Sequence, residues 1–592
     1  MIYKIFNEQK YPTIPQILFN RGLDIDIQDT WIYADGRQIY DEDLFGREMV
    51  DKLVQRVIQA YKNKDNITVI VDSDADGFTS AAIFINYLYA QWPEYASTHI
   101  DYILHTGKQH GLADCYEDIL KDHWTNLVVI PDAGTNDVEE MQALLDNGID
   151  IICMDHHHSD VWNENAIIIN NQICDYPNKN LSGAGVTWHM CRAIDSYFTN
   201  RGKYFEIDCP SINLLDLAAL GNLSDMMDYR SLETRAIINL GLKNIKNPFF
   251  YYMTEKNEYS INKMGGINYM SIAFYVTPFI NAMVRSGTME EKDLIFKSFL
   301  QMYAFEEIPS GKRGHKGEMV PRVEEAVRIC TNVKARQTKL QDSTMALLEQ
   351  KIDQDNLLRN AILILRCEPG EVEKNLAGLV ANKLQAKYQR PCLVLIKTKT
   401  KDDDEIFYRG SARNYSMSEI QDMRQLCENT GDVEYAQGHD SAFGISIPES
   451  KLEDFIESTN EKYKDVPSSP IYWVDFIWSL NTMSVGNILD IADSKGYWGQ
   501  EIPEPYICIA DIQIKPHQVQ LLSPDKHPTI KIHLENGIDV MKFKSSQEEY
   551  EKFIGENKIL TAVCRAAKNE WNGNISAQLI IEDYELREEW VF

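Results

Sequence analysis

The sequence predicts an α/β protein whose main domain is a doubly wound parallel sheet. Three runs rich in Val and Ile, each about six residues long, lie among amphipathic stretches, and each run ends in an aspartate. Buried strands separated by crossover helices are typical of parallel sheets with helices on both faces. The strands are predicted at Asn66–Asp72, Asn126–Asp132 and Ile149–Asp155, with a helix at Asp137–Asn147 between the last two.

The 592 residues are too many for one compact domain, and composition and periodicity divide them into five regions. These are an N-terminal arm (1–45), the parallel-sheet domain (46–240), a helical connector (241–350), a smaller α/β domain (351–465) and a C-terminal β-barrel (466–592). In the smaller α/β domain, strands are predicted at Ala361–Arg366 and Cys392–Lys397 with a helix at Val372–Tyr388 between them. Short strands and the turn Glu535–Gly537 indicate the barrel.

The amino-acid composition limits the kinds of molecule that the protein is expected to bind. Asp and Glu number 89 against 59 Lys and Arg, and this net charge of −30 weighs against a histone-like protein that coats DNA phosphates. A nucleic-acid enzyme with a local basic groove is compatible with that charge. One of the few basic clusters lies in the polar stretch Pro309–Arg322, which interrupts the helical connector, as Pro278 does earlier.

The sequence also bears on the compartment. It contains no run of about 18 apolar residues, and the segment Met1–Gln16 lacks the apolar core of a signal peptide. The 11 cysteines are scattered without CxxC spacing. We therefore expect a cytoplasmic protein with reduced, mostly buried thiols.

Acidic residues follow the predicted strands, and the carboxyl ends of parallel strands meet at one edge of a sheet. They are Asp72, Asp74 and Asp76 after the first strand, Asp132 after the second, Asp155 followed by His156, His157 and His158 after the third, and Asp225 after the apolar helical run Leu214–Leu220. Clustered carboxylates repel each other unless cations neutralise them. A mixed Asp and His set suits one or two divalent ions such as Mn²⁺ or Mg²⁺, and two metals would support phosphoryl transfer.

Each of these motifs taken alone has another interpretation. The spacing Asp72-x-Asp74-x-Asp76 matches the start of an EF-hand loop, but its twelfth position would be Ile83 instead of Glu, and a strand precedes it. A histidine triplet alone is usually a polar surface turn, and Asp76 or Asp225 alone could cap a helix. The joint occurrence of these residues, each at a strand end or in a nearby loop, favours a metal site.

These segments resemble a known family. VDSDADGFTSAAI, PDAGTND, MDHHHSD and ALGNLSDMM resemble motifs one to four of the DHH phosphoesterase superfamily. NLSGAGVTWHM, FINAMVR and NLAGLVANKLQAKYQRPCLVL are similar to segments of its RecJ-like single-stranded-DNA exonucleases. RGSARN and QGHDSAFG resemble the GSGRS and GGH loops of the accessory DHHA1 domain, and NEWNGNISAQLIIEDYE resembles the last strands of the family's OB-fold.

The resemblance implies a site. Its metal ligands are Asp74, Asp76, Asp132, His156 and Asp225, with Asp132 as the bridging and catalytic carboxylate and Asp72 as either a ligand or an outer partner. Asp155 is expected to orient a histidine, and His157 is expected near the scissile phosphate as a donor or acid. Two cations, with Mn²⁺ preferred to Mg²⁺, are the implied cofactors.

The resemblance also implies residues that bind substrate phosphate and thereby determine a 5′→3′ polarity. They are Arg285, Ser411, Arg413, Gly438 and His439. The sequence departs from the family here, since GSGRS is Gly-Ser-Ala-Arg-Asn, GGH is Gln-Gly-His, and the bend before Arg285 lacks glycine. Such departures fit a divergent member, for example a virus-encoded one, and they bear on end-group preference.

The implied activity is a processive 5′→3′ exonuclease that releases 5′-mononucleotides from single-stranded DNA, with recombination, repair or replication proteins as further partners. The barrel would add a nonspecific single-strand surface, for which the candidates are Lys531, Lys542, Phe543, Lys544 and Trp571. Two alternatives stay open. One is a related phosphodiesterase for short oligoribonucleotides or small nucleotides, and the other is a non-catalytic nucleic-acid or replisome scaffold.

Overall fold

The computed structural model describes residues 1–107, 109–199, 209–399, 405–464, 470–555, 557–571 and 573–588. The chain forms two compact units. The N-terminal unit contains Arg21–Ala335 and Asp493–Pro503, and the C-terminal unit contains Met1–Asn20, Arg336–Ala492 and Glu504–Phe592. Among the described helices, none combines the length and the apolarity that a membrane crossing requires.

In the first part of the chain, strands and helices alternate at first, and a run of helices follows. The strands are β1 (Ile2–Ile5), β2 (Ile67–Val71), β3 (Ile100–Leu104), β4 (Leu127–Pro131), β5 (Asp150–Asp155), β6 (Ile167–Asn170), β7 (Glu307–Pro309) and β8 (Met319–Pro321). The helices are α1 (Thr13–Asn20), α2 (Ile25–Ile32), α3 (Arg47–Asn63), α4 (Ala75–Gln91), α5 (Pro93–His99), α6 (Tyr116–Asp122), α7 (Val138–Asp146), α8 (Gly183–Thr199), α9 (Leu215–Ser224), α10 (Leu232–Lys243), α11 (Pro248–Lys256), α12 (Glu258–Lys263), α13 (Tyr269–Tyr275), α14 (Thr277–Ser286), α15 (Met289–Phe299), α16 (Gln301–Ala304) and α17 (Arg322–Gln354).

The N-terminal unit is built on a five-stranded parallel sheet of order β3-β2-β4-β5-β6, which confirms the predicted α/β class. The chain runs from β2 outward to β3 and then returns to β4 on the other side of β2, so the strand order reverses between β2 and β4. Ligands bind outside the carboxyl ends of strands at such a reversal. The sheet therefore provides a site after β2 and β4.

Buried helices hold this sheet edge in place. α4 is buried on every side from Ala75 to Leu88, as expected for a helix that is apolar all round, and it packs against α8 and α9. The predicted helical connector is mainly helical, with Pro278 in the first turn of α14, where a proline costs no hydrogen bond. The connector also contains the short antiparallel hairpin β7–β8, which the sequence analysis described only as a polar loop.

The C-terminal unit contains two further sheets. Its strands are β9 (Leu363–Cys367), β10 (Cys392–Lys399), β11 (Ile406–Arg413), β12 (Tyr435–His439), β13 (Ala442–Pro448), β14 (Ile471–Val474), β15 (Phe476–Trp478), β16 (Ile507–Ile514), β17 (Val519–Leu522), β18 (Thr529–His533), β19 (Asp539–Lys542), β20 (Lys558–Trp571) and β21 (Asn574–Glu588). Its later helices are α18 (Ala377–Tyr388), α19 (Met423–Glu428), α20 (Leu452–Tyr463), α21 (Val485–Asp493) and α22 (Gln547–Ile554).

These sheets match the smaller α/β fold and the β-rich C terminus expected from the sequence. The first has the order β12-β13-β11-β10-β9, with β9 and β10 parallel and α18 between them in the chain. The second has the order β15-β16-β20-β21-β19-β18-β17. β1 pairs in parallel with β14, so the first residues of the predicted arm join the C-terminal unit. The five region boundaries stay predictions.

Candidate metal centre

The strand register brings the strand-end side chains to one level. β2 and β4 pair Val69 with Val129, and continuing that register by three residues sets Asp72 beside Asp132. β4 and β5 pair Pro131 with Met154, so Asp155 is next in the same row. Parallel strands in register carry their carboxyl ends to one edge, and this row forms the floor of the site.

The chain after β2 directs the carboxylates of Asp72, Asp74 and Asp76 toward this edge of the sheet. Asp74 is the N-cap of α4, where its Oδ1 accepts hydrogen bonds from the backbone N–H groups of Asp76 (2.9 Å) and Gly77 (3.0 Å). The cap fixes the first turn of the helix, and Asp76 projects from that turn toward α8. Its carboxylate accepts hydrogen bonds from the N–H groups of Gly183 (2.7 Å) and Ala184 (3.2 Å) at the start of α8. The helix N-terminus thereby stabilises a buried anion.

His156 lies at the centre of the cluster. Its Nε2 is 3.2 Å from Oδ1 of Asp132, 3.5 Å from Oδ2 of Asp225 and 3.8 Å from Oδ2 of Asp76. Within the described residues, three groups bring their ligand atoms within 4.8 Å of one another: Asp72, Asp74 and Asp132; Asp76, His156 and Asp225; and Asp132, His156 and His157. Asp132 belongs to two of these groups.

Two atoms of the cluster are buried without a hydrogen bond. Oδ1 of Asp132 and Nε2 of His156 face each other in the interior, and neither makes a hydrogen bond with any described residue. An unsatisfied buried polar atom costs about 1–3 kcal/mol, and native proteins rarely leave one without a role. Carboxylate oxygens and an imidazole nitrogen are ligands that Mn²⁺ accepts, so these residues fit a divalent cation.

The pKa values of the cluster residues also indicate a site for a cation. Burial, followed by the charges of Asp76 and Asp74, raises the pKa of Asp132 well above its usual range. Burial likewise raises the pKa of Asp76 to about 6, and burial together with the charge of Asp76 raises the pKa of Asp225 well above its usual range. Burial lowers the pKa of His156 to about 4. A bound cation would favour the deprotonated form of all four side chains.

Glycines allow the close approach of the elements around the cluster. A Cβ on Gly183 would lie 2.4 Å from Oδ1 of Asp132 and 2.5 Å from its Cα. A Cβ on Gly221 of α9 would lie 2.3 Å from Oδ1 of Asp76. Asp132 itself adopts a positive φ of 73°, which turns its carboxylate toward α8. The backbone around Asp132 leaves no room for a larger residue at Gly183.

Asp155 orients His157 from behind. Oδ1 of Asp155 accepts hydrogen bonds from Nδ1 of His157 (2.8 Å) and from the N–H of His156 (2.7 Å), while Oδ2 accepts from Oγ1 of Thr135 (2.6 Å). Burial opposes ionisation of Asp155, but these bonds, above all that from His157, hold its pKa well below the usual range. Partial burial alone would lower the pKa of His157, yet its bond to Asp155 raises that pKa to about 9. The His157 side chain is 58 % exposed and lies at the open side of the cluster.

The sequence analysis did not single out three neighbours of the cluster. Thr135 and Asn170 support Asp155 and His157, because Nδ2 of Asn170 donates to Oγ1 of Thr135 and to the carbonyl of His157. Nδ1 of His110 lies 2.6 Å from Oδ2 of Asp72. The strand register places Thr135 and Asn170 beside the cluster, and the loop after β3 places His110 there. No local sequence pattern predicts these positions. His158, the third histidine of the triplet, stays 81 % exposed and outside the cluster.

The predicted phosphate-binding residues lie in both units. Arg285, near the end of α14, belongs to the N-terminal unit, and burial lowers its pKa while the charge of Asp74 opposes that shift. In the C-terminal unit, Arg413 of β11 pairs with Ala442 of β13, and Ala442 pairs with His439 of β12. Paired residues of neighbouring strands share a face of the sheet, so Arg413 and His439 point to the same side.

This sheet face borders the start of α18. A Cβ on Gly378 of α18 would lie 2.6 Å from Nη2 of Arg413 and 3.4 Å from Oγ of Ser411. Ser411, Arg413 and His439 therefore form one polar patch beside a helix N-terminus, where an anion is favoured. Gly438 has a φ of +131°, which a side chain would strain.

The barrel residues that the sequence predicts to bind single-stranded DNA differ in their surroundings. Lys531 is paired with Asp539 at 2.8 Å, whereas Phe543 is 46 % exposed and Lys544 has a positive φ of 55°. Lys542 is half-buried at the end of β19. The side chain of Trp571 lies outside the described part of the chain.

Comparisons with known proteins agree with this architecture. Residues 66–222 match the sequence model of the DHH family N-terminal domain, 360–465 that of the DHHA1 domain, and 474–583 that of the RecJ OB domain. The SPbeta prophage-derived protein YorK of Bacillus subtilis strain 168, which carries the name of a single-strand DNA-specific exonuclease, is 34 % identical over 586 residues. The match covers 98 % of this chain and 96 % of that one.

Two further comparisons extend this likeness. The single-stranded-DNA-specific exonuclease RecJ of Bacillus subtilis is 23 % identical over 98 % of this chain and 69 % of its own length. The crystal structure of RecJ from Thermus thermophilus in complex with Mn²⁺ superposes with a TM-score of 0.66 at 18 % identity. That superposition covers 97 % of this chain and 76 % of the other. It establishes the shared fold.

Replacing Gly183 with alanine is expected to disrupt the metal centre, because the new Cβ would overlap the carboxylate and backbone of Asp132. Overpacking of this kind costs about 1–3 kcal/mol and would displace Asp132. The rise in melting temperature on adding Mn²⁺ should shrink or vanish in Gly183→Ala. Gly496→Ala is the matched control, because open space surrounds Gly496. An unchanged response to Mn²⁺ in Gly183→Ala would contradict the close approach.

Replacing Asp132 with asparagine is expected to stabilise the metal-free protein near neutral pH. A carboxyl group with a raised pKa in the folded state destabilises the fold once the pH exceeds its unfolded value of about 4, so removing it restores stability. The gain is expected as a rise in melting temperature over the wild type. Thermal unfolding in chelator near neutral pH and below pH 4 measures it. The difference in stability between the variant and the wild type should disappear below pH 4. If the variant is instead destabilised equally at both pH values, charge repulsion around Asp132 is not the cause.

Proposed function

The chain belongs to the RecJ-like branch of the DHH phosphoesterase family, and from that premise we propose that it is a metal-dependent exonuclease for single-stranded DNA. It would hydrolyse phosphodiester bonds in the 5′→3′ direction and release 5′-mononucleotides. The observation that carries the proposal is the convergence of carboxylates and His156 at the reversal of strand order, with two buried ligand atoms left without hydrogen bonds.

Two divalent cations complete the proposed site, with Mn²⁺ favoured over Mg²⁺ because an imidazole belongs to the donor set. When bound, such a pair supplies an attacking hydroxide at neutral pH and neutralises charge on the phosphoryl oxygens. Asp74, Asp76, Asp132, His156 and Asp225 are the proposed ligands. Asp132 would contribute to both cation positions, since it belongs, as His156 does, to two of the groups of ligand atoms.

His157 is proposed to contact the scissile phosphate as a hydrogen-bond donor or acid. Asp155, itself held by Thr135, accepts a hydrogen bond from Nδ1 of His157, so Nε2 is left for the substrate. Asp72 is proposed as an outer partner or a further ligand, since its Oδ2 already lies 2.6 Å from Nδ1 of His110. Because Asp155 holds the imidazole of His157 in one orientation, less conformational entropy is lost when that ring is aligned for the reaction.

Phosphate recognition is proposed for Arg285 in the N-terminal unit and, in the C-terminal unit, for Ser411, Arg413, Gly438 and His439. The position of Ser411 and Arg413 beside the start of α18 supports this role, because helix N-terminal amides and a guanidinium both favour a dianionic phosphate. Binding a terminal 5′-phosphate there would determine the direction of hydrolysis.

Membership of this family is also the basis for proposing binding partners and a cellular location. The OB-type sheet is proposed to bind the single strand through exposed side chains such as Phe543, and repair, recombination or replication proteins are proposed partners. The eleven cysteines are free thiols in the structure, which suits the proposed cytoplasmic location.

An assay with end-labelled DNA tests the activity and its direction. The protein is incubated with Mn²⁺ and with single-stranded or duplex DNA labelled at the 5′ or the 3′ end. We expect a 5′ label to leave as mononucleotide at once, a 3′ label to remain on progressively shorter strands, and duplex DNA to persist. Rapid loss of a 3′ label from full-length strands would overturn the proposed direction. A preference for a dinucleotide over a 50-mer would favour a small-nucleotide phosphodiesterase.

The histidine triplet supplies matched variants for that assay. His156→Ala and Asp132→Ala should lose nearly all activity, at least about 1,000-fold, because each removes a proposed ligand. His157→Gln should lower kcat by about 100-fold, in the range of general acid catalysis, while leaving the Mn²⁺-induced rise in melting temperature intact. His158→Gln is the control and should keep full activity, since His158 stays in solvent. Full activity in His156→Ala would refute the proposed site.

The polar patch beside α18 is tested by Arg413→Ala. We expect KM for a 5′-phosphorylated strand to rise about tenfold or more, as for the loss of a charge-assisted contact, with a smaller effect on a strand that has a 5′-hydroxyl. Arg366→Ala is the control, because Arg366 lies on the opposite face of the same sheet and pairs with Glu453. Equal effects on both substrates would contradict recognition of the terminal phosphate.

A further inference from the structure

The tip of the hairpin β7–β8 concentrates positive charge in an acidic protein. The segment 310–317, which we call the basic tip, has the sequence SGKRGHKG and contains Lys312, Arg313, His315 and Lys316 but no Asp or Glu. The chain as a whole carries a net charge of −30. All four basic side chains are exposed.

The basic tip is held in a defined shape by its hairpin. The N–H of Ser310 donates to the carbonyl of Glu318, and the N–H of Gly317 donates to the carbonyl of Ser310, each at 2.8 Å. Below it, the buried carboxylate of Glu325 on α17 accepts from the N–H of Gly311 at 2.9 Å and from Oγ of Ser310 at 3.2 Å. A segment anchored at its base in this way presents its cations from a fixed point of the molecule.

The cations at the tip, His315 apart, have no acidic partner among the residues that the structure describes. Lys312, Arg313 and Lys316 form no ion pair with any residue in the described ranges, and of the four basic side chains only His315 contacts an acid, Glu318. Lys312, Arg313 and Lys316 lie within a stretch of five residues, and the positive potential of three such cations, none of them paired within the described residues, favours a polyanion.

The chain just before the hairpin is bonded to α4, the helix that begins at the metal centre. The N–H of Gln301 donates to Oδ1 of Asn86 at 2.8 Å, and Nδ2 of Asn86 donates to the carbonyl of Phe299 at 2.9 Å. Asn86 is ten residues beyond Asp76 on α4, which corresponds to roughly 15 Å along the helix. Gln301 lies six residues before β7, so these bonds anchor the chain that leads into the hairpin on the same unit as the metal centre.

We infer that the basic tip binds the phosphate backbone of single-stranded nucleic acid outside the metal centre, on the part of a long strand that a trinucleotide lacks. This inference rests on the proposed function, and it concerns how a long substrate is retained. The contact is sequence-independent, because lysine and arginine bind backbone phosphate and no base-reading group is present at the tip. It therefore predicts tighter binding of long strands than of short ones.

The test uses the full chain with Lys312→Glu, Arg313→Glu and Lys316→Glu combined. Affinity for a fluorescent 40-mer, measured in an Asp132→Asn background that prevents degradation, should fall at least tenfold. For single strands each phosphate contact contributes about 0.7 to the slope of log affinity against log salt, so this slope should become less steep by about 2. Hydrolysis of a trinucleotide by the same triple variant with Asp132 intact should stay within twofold of wild type.

The matched control is Lys62→Glu, Lys243→Glu and Lys256→Glu, which changes the net charge equally at exposed helical positions of the same unit. It should keep most of the 40-mer affinity and the wild-type slope. Equal losses in both triple variants, or wild-type binding by the tip variant, would overturn the inference. If the charge-reversed tip fails to fold, as judged by its melting transition, the neutral variant Lys312→Gln, Arg313→Gln, Lys316→Gln replaces it, with a slope change in the same direction expected. Absence of all DNA hydrolysis by wild type would count against the proposed function, whereas the binding assay would still test the tip.

Discussion

The mutual repulsion of buried carboxylates at one edge of a parallel sheet is the constraint on which the rest of the structure depends. Asp76 and Asp132 are almost wholly buried, and both pKa values are raised because ionisation in that setting is costly. The fold offsets part of the cost with helix N-terminal amides, which hydrogen-bond Asp76 from the start of α8. The remainder is left for a cation. A protein that maximised its metal-free stability would not assemble this cluster.

The same constraint explains the small residues around the site. Gly183 and Gly221 let α8 and α9 approach within contact of Asp132 and Asp76, so that the backbone amides of Gly183 and Ala184 reach the Asp76 carboxylate. Asp155, held by Thr135, accepts a hydrogen bond from one nitrogen of His157, which leaves the other for chemistry. Arg285 places a positive charge near Asp74. Further cations lie elsewhere, with Arg413 on the sheet of the C-terminal unit and Lys312, Arg313 and Lys316 at the basic tip, where they favour a polyanion.

Local patterns in the sequence were sufficient for much of the fold. The β-rich runs at Asn66–Asp72 and Ile149–Asp155 coincide with β2 and β5, and the helix expected at Asp137–Asn147 is α7, because short buried strands and amphipathic helices have distinct periods. The pattern was less informative at 307–321. Two strands of three residues each around a glycine-rich turn are too short to show an alternation, so the hairpin was described only as a polar loop.

The sequence by itself determined the chemical type of the site: aspartates at successive strand ends, followed by a histidine triplet, were enough to predict a divalent-metal centre at the edge of a sheet. Tertiary structure decided which side chains take part. It separates His158 from His156 and His157, joins Asp225 from α9 to the cluster, and brings in Thr135, Asn170 and His110. The physical reason is that strand register and helix packing set distances between residues far apart in the chain, and neither is encoded in any one local stretch.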